Sequence, residues 1–290
     1  MIRTGSHIAY SFHESDALCY YRLALTAVRE LLLHPHYEMI DVVGENLGSH
    51  LEDVASLHRS RQIQGDADGV RHAAYWTLYR HDIWAAMQTG RRMCLDETYW
   101  EPPPVESFEC MEIEDITNRA IFILGQCVNF SNGHGSFEDV MDSGRLQQAR
   151  HDAASRLGMC LDDWQAKMPP SIATFCTPTA VAHQVHHASR IILVLHQPSP
   201  VTPPLGLNKC ESLSIRRRIE KSREGVFATA NAGVPDAWDL LSAQCLYVAG
   251  LVTEGLQERK RTLELIDECH RRTGRQTVFM PNELKRLWKE

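Results

Sequence analysis

The sequence predicts an all-α protein: a large multi-helix body of antiparallel packed helices. Three observations carry this. Apolar residues recur at steps of three and four along most of the 290 residues. No segment alternates apolar and polar residues in the manner of a strand, and no hairpin turn is framed by such segments. Proline and glycine fall between the periodic stretches, where they end one helix and open the next connection.

Each element follows in order. From Asp16 to Leu33 the stripe is Leu18, Tyr21, Leu25, Val28 and Leu32, with Asp16 as N-cap and Pro35 as stop. Leu47 to Leu57 repeats the spacing with Leu47, Leu51 and Val54, continuing to Leu57 or His58. Val70 to Thr89 carries Ala73, Trp76, Tyr79 or Arg80, Ile83 and Met87, and Gly90 ends it as a C-cap glycine. E-P-P-P-V at 101–105 is a stiff connector. Ile113 to Phe130 is apolar on most faces and reads as a central helix. S-N-G-H-G-S at 131–136 reads as a loop. Arg145 to Met168 is amphipathic and stops at Pro169-Pro170. Thr179 to His196 has Val181, Val185, Ala188, Ile192 and Leu195 on one face. Helices are then expected over Leu213–Gly233, Asp236–Glu254, Glu258–Thr273 and Pro281–Lys289. Residues 1–290 are read as a single helical domain, with a proline-rich internal connector at 197–208.

Composition excludes several classes. Net charge is −7, against the basic excess of a domain that works by neutralising phosphates. No run approaches the roughly 18 apolar residues of a membrane span. I-I-L-V-L at 191–195 is among the longest apolar runs, so no membrane partner is expected. The nine cysteines are scattered, with the nearest pairs, Cys94–Cys110 and Cys160–Cys176, 16 residues apart. No C-x-x-C occurs, so buried thiols in a reducing compartment are expected, and the N-x-S sequon at Asn129 reads as chance.

Chemistry-bearing stretches are few. H-Q-V-H-H at 183–187 puts His183 and His187 four apart, on one helix face, where both can ligate one metal ion. In the H-E-x-x-H arrangement a glutamate beside the first histidine is the general base. Here that position is Gln184, whose amide cannot take a proton, and no third ligand follows at the expected spacing. The plainer reading is a helix packed on its other face, with its histidines near the surface. Arg216, Arg217, Arg218, Lys221 and Arg223 form a basic run that suits phosphate or an acidic partner. Glu211, Glu220 and Glu224 interleave it, which favours a solvated face. G-H-G-S at 133–136 lacks the lysine of a phosphate loop. Tyr75, Trp76, Tyr79 and Trp84 share a helix and read as core, with a ligand pocket as the alternative. No G-x-S-x-G frames a nucleophile. The chain is therefore expected not to be an enzyme, with no catalytic, cofactor-binding or metal-binding residue. A metal-dependent hydrolase using His183 and His187 is kept as the remote alternative.

The order of segments carries a resemblance. S-H-L-E-D-V-A-S-L at 49–57 is similar to an H-L-x-G-A-x-x-L segment, and Y-Y-R-L-A-L-T-A-V-R-E-L-L at 20–32 to the helix before it. A-A-Y-W-T-L-Y-R-H-D-I-W-A-A-M at 73–87 resembles A-F-W-x-Y-x-R-Q-D-I-x-x-A-L, and N-R-A-I-F-I-L-G-Q-C-V-N-F at 118–130 the helix after it. W-Q-A-K-M-P-P-S at 164–171 resembles W-x-x-x-L-P-P-S. H-H-A-S-R-I-I-L-V-L-H-Q-P at 186–198 resembles H-x-A-x-I-L-L-x-x-H-R-P. A-Q-C-L-Y-V-A-G at 243–250 and the segment 266–288 resemble the closing elements. Together they resemble the regulatory, or middle homology, domain of fungal zinc-cluster transcription factors.

That resemblance implies a nuclear protein controlling transcription by RNA polymerase II. Its partners would be the transcription machinery or co-regulator proteins, with a homodimer and a small-molecule effector as further expectations. DNA would be reached only through an N-terminal six-cysteine cluster holding zinc. No such cluster occurs in these residues, so the resemblance carries no zinc ligand and no DNA contact onto this sequence. Residues 33–37 and 93–106 are also shorter than the family's pattern. The chain then reads as a fragment, a truncated gene product or a relative without its DNA-binding head. The alternative is a stand-alone helical interaction protein that modulates a full-length relative.

Overall fold

In the computed structural model, residues 45–133, 143–169, 179–198, 208–274 and 277–289 are described. Nine α-helices and one 3-10 turn, with no strand, occur among them. They are α1 (Glu45–Ser60), α2 (Gly69–Thr89), α3 (Ile113–Asn132), α4 (Ser143–Ala166), α5 (Ala180–His196), α6 (Asn208–Ala232), the 3-10 turn Asp236–Trp238, α7 (Asp239–Leu251), α8 (Leu256–Thr273) and α9 (Phe279–Leu287). The expected all-α class is what the protein adopts. The expected helix at 16–33 lies outside the described residues, as do 199–207 of the proline-rich connector and 134–136 of the G-H-G-S stretch.

The chain divides into two compact units, Met1–Leu78 and Tyr79–Glu290. In the first, Leu51, Ala55, His58 and Ile63 are buried. Trp76 donates its indole N–H to Gly65 O at 3.0 Å, and Tyr75 meets Trp76 edge-on with centroids 5.3 Å apart. His58 is bonded to Val54 O through Nδ1 at 2.9 Å.

In the second unit α5 is the hub, packing against α3, α4, α6 and α7. Thirteen of its residues are buried, on every face, as expected of a helix with so few charges. Beside it, α3 buries Ile116, Ala120, Ile121, Phe122, Leu124 and Val128. Trp84 sits between Tyr247 and Phe279, each 5.6 Å away by ring centroids. Tyr79 stacks on Phe122 and donates its hydroxyl to Phe122 O at 3.3 Å. All four aromatics of the 75–84 stretch are core residues.

Helix ends follow local chemistry. Gly90 and Gly274 take positive φ after α2 and α8, a conformation that glycine adopts without a Cβ clash. Pro281 sits in the first turn of α9, where its missing N–H would have no helical partner. Several boundaries differ from expectation, and two of them have a local reason. Ser131 and Asn132 continue α3 and are not loop, because Asn132 donates to Ala86 O and Arg91 O at 2.8 and 2.7 Å and holds the last turn. α6 begins at Asn208, not Leu213, because its first turns offer little apolar period to mark them.

Candidate functional site

His183, His186 and His187 lie on α5, which meets α4 and α6. The expectation of surface histidines is corrected. His183 and His186 are buried and His187 is half-buried, because helices cover α5 on all sides. The His186 ring stacks on Trp164 with centroids 5.1 Å apart. His183 meets the same indole edge-on at 5.7 Å. The Nε2 of His186 lies 3.1 Å from Leu161 O, so Nε2–H is the donor and Nδ1 is left without a partner. Arg190 Nε approaches that same Nε2 at 3.3 Å. With Nε2–H given to Leu161 O, that nitrogen has no lone pair to offer Arg190, and the guanidinium charge disfavours protonation of the ring. Arg190 is held in place by an ion pair with Asp162.

These surroundings favour neutral rings. Burial first, then the Arg190 charge and His187, push His186 down to about 3. Burial, then His183, Arg190 and Lys221, push His187 down to about 4. Burial also lowers His183. Gln184 is fully buried and donates to Val226 O at 3.4 Å, so it is turned into the α5–α6 contact. Among the described residues no group of three or more His, Cys, Asp or Glu side chains is placed to hold a metal ion. The hydrolase reading gains no support from this geometry.

The basic run divides. Arg216, Arg217, Arg218 and Lys221 are exposed, as expected of a solvated face. Arg223 is not: it is buried at 5 % exposure and pairs with Glu220 and Glu258 at 2.5 Å each. Those hydrogen bonds raise Arg223 above its ordinary value, and Arg223 in turn lowers Glu258. The expectation of buried thiols holds for Cys127, Cys245 and Cys269, while Cys110 and Cys160 are exposed. Asn129 is buried, and its Oδ1 accepts from Met93 N at 2.8 Å, which leaves it no room for a glycan.

A cleft of about 500 Å³ lies between α3 and α4 under the segment Glu101–Val105. Its two walls have the same spacing. Arg119, Phe122, Ile123 and Gln126 come from α3, and Cys160, Asp163, Trp164 and Lys167 from the end of α4 and the residue after it. Steps of three, four and seven put each set on one helix face. Pro102, Pro103 and Pro104 form a strap whose fixed φ keeps it extended beside the cleft. Arg119 Nη2 donates to Pro103 O at 2.9 Å, which ties the strap to α3, and Phe108 N donates to Lys167 O at 3.3 Å, which ties the segment after the strap to the end of the α4 wall. Trp164 spends its N–H on Ile116 O. The Cys160 thiol, exposed at its edge but partly desolvated by the cleft walls, is raised first by that desolvation and then by Asp163 and Glu101, which disfavours the thiolate.

Reading residues singly did not reveal this cleft. The available signal was the polar residues breaking an apolar face at 119 and 126, together with those at 160, 163 and 167 and the nearby triple proline. No family model, curated protein or solved structure matches the chain.

Proposed function

We propose that this protein is a regulatory body of a transcription factor of the fungal zinc-cluster kind, working in the nucleus on RNA polymerase II transcription. One observation carries the reading. Six of the segments that bear the resemblance fall in order on α1, α2, α3, the end of α4, α5 and α7. Trp76, Ile121, Trp164, Ile192 and Leu246, which lie in five of these segments, are core residues, while Ala73 and Leu195 are exposed. In this reading the packed helices act as a two-state element, biased by a partner protein or a small molecule. Recognition of DNA is assigned to no residue of these 290.

Acute depletion of the protein in the cell that makes it tests this. Nascent transcripts of a defined gene set should change before steady-state protein levels do. Unchanged nascent transcription after complete depletion would sink the proposal.

A further inference from the structure

The α3–α4 cleft combines an apolar lining with Arg119, which has no ion-pair partner among the described residues, and Glu101 at the start of the strap lines it too. Arg119 has a single hydrogen bond, to a carbonyl, and no carboxylate within ion-pair distance among the described residues. Asp115, one turn back on α3, acts on it only at longer range, and burial strips part of its hydration. Across the cleft, Lys167 is already matched by Asp163 at 2.6 Å. Gln126, two turns further along the α3 wall, brings a carboxamide to the same face. Phe122 and Trp164 also line it, though nearly all of their surface is packed inside the protein, at 4 % and 2 % exposure. The smaller hollow of about 260 Å³ beside Asp239 is different in kind. There Arg272 pairs with Asp239 and Arg261 with Asn231, so it is internally satisfied.

We propose that the α3–α4 cleft binds a small organic acid with a flat, largely apolar body. The carboxylate would sit on the Arg119 guanidinium, with Gln126 adding a donor and the apolar body lying between the proline strap and the α3 and α4 walls. A planar guanidinium matches a carboxylate through two parallel hydrogen bonds, and a partly dehydrated one gains most from the pairing. The volume falls within the roughly 300–1,000 Å³ of small-molecule sites, which are mostly apolar with a few polar groups fixing orientation. This assignment stands on the cleft alone and does not depend on the transcriptional reading.

Calorimetric titration of the purified chain tests it. The probes are 2-naphthoate, indole-3-acetate and cinnamate, each beside its neutral carboxamide. At least one acid should saturate at one site per chain and bind about tenfold or more tighter than its amide, a difference near 1.4 kcal/mol. Arg119→Gln should erase that preference, weakening the acid by about tenfold more than the amide. Gln126→Trp fills the cleft without removing Arg119 and should abolish binding of both forms, which keeps the test decisive should R119Q fail to fold. Equal affinity for acid and amide, wild-type binding by both variants, or no saturation by any probe near millimolar concentration would each overturn the proposal.

Discussion

His186 and His187 store a pH dependence in the fold. In the unfolded chain an imidazole titrates near 6.5, and in the folded chain these two titrate at about 3 and about 4. Between those limits the unfolded state binds more protons, so stability must fall as pH falls. The stabilisation is present above pH 6.5 and is lost progressively as pH falls, to about pH 4 for His187 and about pH 3 for His186. At about 1.4 kcal/mol per unit, discounted for coupling and partial exposure, the two rings account for roughly 2–3 kcal/mol over that window. Urea unfolding at pH 7, 5.5 and 4.5 should show the midpoint falling, and His186→Gln should flatten the curve. A midpoint unchanged between pH 7 and 4.5 would remove the buried imidazoles as its cause. These burials were not legible in the sequence. H-Q-V-H-H shows spacing, but whether a ring is wet depends on Trp164 and Gly225, which are contributed by other helices. Arg223 misleads for the same reason, since its carboxylate partner Glu258 stands 35 residues away.

At the scale of helices, close approach is set by small residues. A Cβ on Gly225 of α6 would lie 2.4 Å from the His187 ring of α5. That ring is hemmed in by His186, 5.5 Å away by centroids, and cannot swing aside freely. Gly225→Ala gains about 1 kcal/mol of helix propensity and loses about 1–3 kcal/mol to overpacking. A net loss of roughly 1 kcal/mol is expected by chemical denaturation, and H187A in the same chain should relieve it. Gly158 of α4 is the control. A methyl group added there would meet nothing within 4 Å, so Gly158→Ala should stabilise by roughly 0.5–1 kcal/mol. Equal effects at the two glycines would contradict the packing account. Most helices could be read from the chain because a 3.6-residue period is a local property, visible at Leu51–Ala55–His58 or along 113–132. The α3–α4 cleft could not, because its two walls come from different helices and become one site only when packed.

For the whole molecule, charge argues against direct DNA recognition. Net charge is −7, Arg216 is engaged by Glu254 at 2.8 Å, and the exposed Arg217, Arg218 and Lys221 are interleaved with Glu220 and Glu224. Fluorescence anisotropy with duplex DNA should therefore show only weak association, no tighter than about 10⁻⁶ M, that fades with added salt and ignores sequence. The proposed regulatory role instead requires the helical body to act on a promoter to which another module brings it. The most direct measurement joins the chain to an unrelated DNA-binding domain in a fungal cell and reads a reporter bearing that domain's sites. Reporter output should rise or fall several-fold relative to the DNA-binding domain alone. A fusion that is folded, nuclear and bound at the promoter, yet leaves the reporter at the control level, would contradict the account.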